Sequence, residues 1–145
     1  MSILHIVFRV GAAEYVVAAS DVVQMESFTG VTKVPGTPDH VRGLVQIRSR
    51  VVPVVDLRAR FRLPPVEPTL DTRIVVVHIG ERNVGLLVDG ARDIVRIAAG
   101  DFKPPPDVIL EQSDGFVKSV AQAGDRLLML VDCEKIIGEE QAHVA

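Results

Sequence analysis

The chain of 145 residues has no tryptophan, one tyrosine and one cysteine. A lone Cys133 excludes a disulfide framework and a cysteine-based zinc site. With five Phe and one Tyr, there is little from which to build a stacking platform for single-stranded nucleic acid. No apolar run approaches the roughly 20 residues a helix needs to cross a bilayer. Met1-Ser2-Ile3-Leu4-His5 lacks the basic stretch and small-residue cleavage site of a secretory signal. Neither sign of charge dominates, since the net charge is −3. The whole-chain balance therefore gives no pointer to nucleic acid. The expectation is a soluble, cytoplasmic globular protein, and the length fits one domain.

What the chain does have is β-branched. It contains 26 Val and 10 Ile against 11 Leu. Branching at Cβ restricts χ1 and suits a pleated, half-buried surface. Most of the 11 Gly and 9 Pro fall between short apolar runs, the punctuation of a sandwich or barrel. Hairpins are expected at Ile3–Val10 and 14–17, at Val41–Ile47 and Arg50–Val55, at Thr72–Ile79 and Val84–Val88, and at Phe116–Ala121 and Arg126–Val131. Shorter strands are expected at Val31–Val34 and Ile94–Ile97, with a stiff extended stretch over Phe102–Pro106. Pro53 lies inside a strand pattern, which predicts an edge strand or a bulge. Asp56 is placed to N-cap a short helix through Phe61. A second short helix is expected over Asp132–Ile137, a linker over Leu63–Leu70 and a frayed tail over 139–145.

The pattern repeats. A shift of 76 lays Val41–Gln46 on Val117–Gln122 and Arg50–Asp56 on Arg126–Asp132 without a gap. A shift of 69 lays Ile6–Gly11 on Val75–Gly80. This predicts two similar halves, about 1–68 and 69–140, of roughly five strands each, with strands free to cross between them. A groove between two such units would suit a peptide or a helix.

Catalytic chemistry is not visible. His5, His40, His78 and His143 share no metal-ligand spacing. The glycines fit hairpins rather than a dinucleotide fingerprint, and no serine lies in a nucleophile elbow. Cys133 reads as a buried, inert thiol at a helix start. Asp89 and Asp93 diverge in a strand–turn–strand reading. No catalytic residue, metal site or cofactor is therefore expected. Charge is uneven, however. Lys33, Arg42, Arg48, Arg50, Arg58, Arg60 and Arg62 face only Asp39 and Asp56 in that stretch, which gives +5 there and −8 elsewhere. Such a stretch is a rim for an acidic protein partner or, alternatively, a nucleic-acid surface.

The runs Val41–Arg48 and Val51–Arg58 resemble the core pattern of CheW-like chemotaxis coupling proteins. Phe8–Tyr15, Thr32–Pro38, Val84–Asp89, Phe102–Pro106 and Gly124–Val131 follow in the same order and spacing, so the resemblance spans nearly the whole chain. It implies an all-β fold with short helices, in which two five-stranded β-barrels pack around a common core as one domain over 1–145. It implies a non-enzymatic adaptor between the cytoplasmic tips of methyl-accepting receptors and the regulatory domain of a CheA-type histidine kinase. Nucleic acid is not among the partners implied, and the membrane is reached only through receptors. By position, Val22, Gln24, Gly43, Arg48, Arg73 and Ile74 fall at or beside the receptor surface, and Val108 at a kinase contact. Gln24 stands where Glu is common opposite Arg48. Ser49 and Ser119 stand where Gly is common, and Arg73 replaces an apolar residue. Those departures leave open a coupler that binds only one partner class.

Overall fold

The computed structural model describes residues 2–112 and 115–142, and of 92, 110–112 and 139–142 the backbone alone. In chain order the strands are β1 (Ser2–Val10), β2 (Ala13–Ala18), β3 (Val22–Ser27), β4 (Val41–Ile47), β5 (Arg50–Asp56), β6 (Arg73–Ile79), β7 (Arg82–Val88), β8 (Gly90–Ala98), β9 (Phe102–Lys103), β10 (Val117–Ala123) and β11 (Arg126–Val131). The helices are α1 (Leu57–Arg60), α2 (Asp107–Gln112) and α3 (Cys133–Ala142). α3 is broken at Gly138, where φ is 76°.

Two sheets form. Sheet I has the order β8-β1-β2-β11-β10-β9 and sheet II the order β3-β6-β7-β5-β4. Each turns back on itself. The chain leaving β3 at one edge of sheet II returns at the other, where Thr32 bridges Leu44 of β4. The chain leaving β8 likewise passes a 3-10 turn at Ala99–Asp101 and returns as β9 against β10. β8 and β9 are thus the two ends of one bent segment. Continuity of this kind partly covers the β4 and β10 edges, which would otherwise invite pairing with another chain.

The two sheets have the same order of equivalent strands. Shifting β1, β2 and β3 by 69, and β4 and β5 by 76, converts the order of sheet II into that of sheet I. The parallel pair Val54↔Gly85 then corresponds to Leu130↔Val16. Bulges recur in step, between Val41 and Gly43 and between Val117 and Ser119. Asp56 and Asp132 also recur. The amide of each donates to a carbonyl sixteen residues back, that of His40 at 2.7 Å and that of Phe116 at 2.8 Å. Asp56 caps α1 by accepting from the Arg58 and Ala59 amides, and Asp132 accepts from the Lys135 amide. Each sheet takes one of these hairpins from residues before 68 and one from residues after.

Strand alternation sorts the apolar residues into three cores. Ile6, Phe8, Val17, Val55, Leu57, Val75, Val77, Leu86, Val131 and Ile136 are among those buried between the sheets. Ile47, Val52, Val54, Ile74, Val76 and Leu87 fill the inside of sheet II. Val7, Val16, Ile97, Ala121 and Leu128 fill the inside of sheet I.

The expectation that Pro53 marks an edge strand or a bulge needs correction. β5 is an inner strand, between β7 and β4, and Pro53 pairs with Leu44 in regular register. The Leu44 amide and carbonyl both bond Thr32, on the side away from β5. The register with β7 begins one residue later, at Val54. The missing N–H therefore falls outside both ladders. Val31–Val34 is reduced to the single Thr32 bridge, and α2 was not legible in the pattern.

The β4–β5 turn places two L-residues at positive φ, Arg48 at 50° and Ser49 at 70°. Such a two-residue turn favours Gly because Cβ crowds the backbone there. Ser49→Gly is expected to stabilise the protein by about 1 kcal/mol, which a thermal melt would register as a rise of about 3 °C.

Candidate functional site

The residues expected at the receptor surface all belong to sheet II: Val22 and Gln24 on β3, Gly43 on β4, Arg48 in the β4–β5 turn, and Arg73 and Ile74 on β6. Val108 lies apart, on α2 beyond β9. Not all six present a side chain. Ile74 is 1% exposed inside sheet II, against Gly85, where a Cβ would lie 2.6 Å from the Ile74 Cγ2. It supports the surface from beneath. Gly43 is buried. Its absent Cβ leaves room for the Thr32 carbonyl oxygen, which would otherwise sit 2.3 Å away. Arg73 folds back onto the loop before β6, where its guanidinium donates to the Leu70 and Thr72 carbonyls at 2.6 and 2.9 Å. Arg48 is exposed.

A bulge separates Val22 from Gln24. Val22 pairs with Val77 and faces the core between the sheets, whereas Gln24 pairs with Val76 and faces the inside of sheet II. The Gln24 amide donates to the Glu26 carboxylate. Among the described residues it makes no bond to Arg48. The apolar side chains that β3 does expose are Val23, at 49%, and Met25, at 42%. Sequence reasoning missed them because a bulge shifts the alternation by one residue and leaves no compositional mark.

Part of the basic stretch is engaged within the fold. Arg42 pairs with Asp56 at 2.7 Å and Arg58 with Asp89 at 2.7 Å. Arg60 lies over the Phe116 ring, 4.8 Å from its centroid, and donates to the Lys135 carbonyl at 3.1 Å. Arg42, Arg58 and Arg60 therefore do not line an open phosphate track, which weighs against the nucleic-acid reading. Among the described residues, no group of three or more His, Cys, Asp or Glu could hold a metal ion. Burial foremost, with Asp21 and Asp132 nearby, pushes the Cys133 thiol up to about 12. At neutral pH it is an unreactive thiol.

The mouth of sheet I is closed by charge. The Arg126 guanidinium donates twice to Glu14, from Nε at 3.0 Å and Nη2 at 2.7 Å, and its Nη1 reaches Asp93 at 2.6 Å. These hydrogen bonds hold the Glu14 carboxyl below its ordinary 4.5, against a smaller opposing effect of burial. A depressed folded-state pKa gives stability that is complete above the unfolded value and lost as pH falls through the folded one. Wild-type melting temperature is therefore expected to fall as pH drops below about 4.5. Glu14→Gln should make that fall shallower in a pH series of thermal melts.

A model of the CheW-like domain matches residues 5–141. The chain belongs to the CheW-like family. It is 33% identical over 140 residues to the chemotaxis protein CheW of Rhizobium meliloti, covering 97% of this chain and 90% of that one. It is 30% identical over 136 residues to that of Klebsiella aerogenes, covering 94% and 82%. The crystal structure of the scaffolding protein TtCheW from Thermoanaerobacter tengcongensis matches with a TM-score of 0.89 at 26% identity, over 97% of this chain and 96% of that one. The CheW-like family consists of chemotaxis adaptors and scaffolds rather than enzymes. Among the described residues, no helix is long and apolar enough to cross a membrane.

Proposed function

We propose that this CheW-like protein couples the cytoplasmic tips of methyl-accepting receptors to the regulatory domain of a CheA-type histidine kinase. It acts by scaffolding alone, in the cytoplasm, at receptor arrays. The observation that carries the reading is the grouping of positions. Val22, Gln24, Gly43, Arg48, Arg73 and Ile74 gather on sheet II, while Val108 stands on α2 beyond sheet I. Two partners can then be held without competing for one surface. On the receptor side, Arg48 offers a charged donor, and β3 adds exposed Val23 and Met25 beside Val22, which packs inward. Gly43, Ile74 and Arg73 hold the backbone beneath them. On the kinase side, Val108 is 56% exposed on a helix whose first turn is tied by the Ile109 amide to the Pro106 carbonyl at 2.9 Å.

Calorimetric titration against purified receptor tips and the kinase regulatory domain tests this. Arg48→Ala should weaken tip binding about tenfold, the scale of one charged contact, and spare the kinase domain. Val108→Asp should do the reverse. Loss of both partners in either variant, with the fold intact, would overturn the division of surfaces. A second reading is favoured by Gln24, which supplies no charge opposite Arg48 and bonds Glu26 instead. In that reading the protein holds one partner class only and competes with full couplers. Binding to a single class by the wild type would establish it.

A further inference from the structure

The equivalence of the two sheets exposes a difference between their mouths. Under the shifts of 76 and 69, Arg126, Glu14 and Asp93 of sheet I correspond to Arg50, Asn83 and Gln24 of sheet II. The faces correspond too. Arg126 alternates with Leu128 inside sheet I, and Arg50 with Val52 inside sheet II. In sheet I the guanidinium is gripped by two carboxylates. In sheet II both acids are replaced by neutral amides, and the arginine remains.

Of the amides and acids near Arg50, Asn83, Gln24 and Glu26 are engaged elsewhere, and Glu81 shares its opening without pairing to it. Asn83 Oδ1 bonds His78 Nδ1 at 2.8 Å. Glu26 accepts from Gln24. Glu81 lines the same opening as Arg50, Val51, Val52, His78 and Asn83, a recess of about 290 Å³. Among the described residues, Arg50 makes no ion pair with it. Arg50 is exposed, with Val51 beside it 66% exposed.

The geometry points to Arg50 as an anchor for an acidic side chain on the helical receptor tip, whose carboxylate takes the place that Glu14 holds against Arg126. The arrangement rests on the coupling function proposed above and adds a contact to it. Arginine suits the role because its planar fork bonds a carboxylate through two N–H groups, as Arg126 does with Glu14. Val51 offers the aliphatic stem of the incoming residue an apolar neighbour.

The test uses the full chain, receptor-tip fragments and the kinase regulatory domain. Arg50→Ala should weaken tip binding about tenfold and flatten its salt dependence. Asn83→Glu keeps Arg50 but supplies the missing acid from within. It should weaken tip binding to a similar extent while raising the melting temperature. Kinase-domain binding should be unchanged in both, which shows that the variants fold. If both variants bind tips as wild type does, while Arg48→Ala does not, the anchor is wrong and the coupling reading stands. If the wild type binds no tip at all, both are wrong.

Discussion

Gly43→Ala is expected to open sheet II between Thr32 and β4 and to destabilise the protein by about 3–5 kcal/mol. Three effects add. A Cβ at this position would lie 2.3 Å from the Thr32 oxygen and 2.8 Å from its carbonyl carbon. Both are backbone atoms and cannot swing aside. Gly43 also has φ 151°, a conformation that L side chains rarely adopt. Relief of the clash would then break the reciprocal bonds between Thr32 and Leu44, each 2.8 Å, worth about 1 kcal/mol apiece. Urea denaturation would measure the total. Hydrogen exchange should show protection lost first at the Thr32 and Leu44 amides. A loss under about 1 kcal/mol would mean that the 28–40 segment can shift to accommodate a methyl group. Ser119, at the equivalent place in sheet I, has no positive φ, so a side chain is tolerated there.

The second large effect is expected at Asp89. The chain leaves sheet II here for sheet I, between β7 and β8. Asp89 Oδ2 accepts from the Gly11 amide at 2.7 Å and from Arg58 Nη1 at 2.7 Å, and Arg58 Nε donates onward to the Pro64 carbonyl at 2.8 Å. One carboxylate thus ties the β1–β2 turn, the crossover and the loop after α1. The two side chains are only 17% and 15% exposed. Removing one member of so enclosed a pair leaves the other poorly solvated, and Asp89→Ala should cost about 3 kcal/mol. Asp89→Asn keeps an acceptor for Gly11 and should cost about half as much. In a double-mutant cycle with Arg58→Ala, the coupling energy should exceed about 1 kcal/mol. Strict additivity would place the stability of this corner elsewhere.

Much of the fold is legible because period-two patterns and glycine turns are local. The four hairpins and the Asp56 cap follow from residues within a few positions of one another. What resists reading is non-local. Nothing in the sequence near Pro53 says that Leu44 turns its polar groups toward Thr32. Nothing near Arg126 indicates Glu14, 112 residues earlier. The site suffers most from this. Positions such as Val22 and Gln24 look alike on a strand drawn flat, and one bulge sends them to opposite faces. Ile74 reads as a surface candidate by position, yet β7 and β3 flank its strand and the inside of sheet II encloses it.

The pairing of hairpins across the chain also constrains how the protein is made. β11, the last strand, lies in the interior of sheet I between β2 and β10. On a ribosome, β1 meets its second neighbour when β8 emerges, whereas β2 must wait for β11. Sheet II can assemble earlier, once β7 is out. Pairings this distant in sequence make for slow folding, and the nascent first hairpin, with Val7 and Val16 uncovered, is the segment most in need of a chaperone.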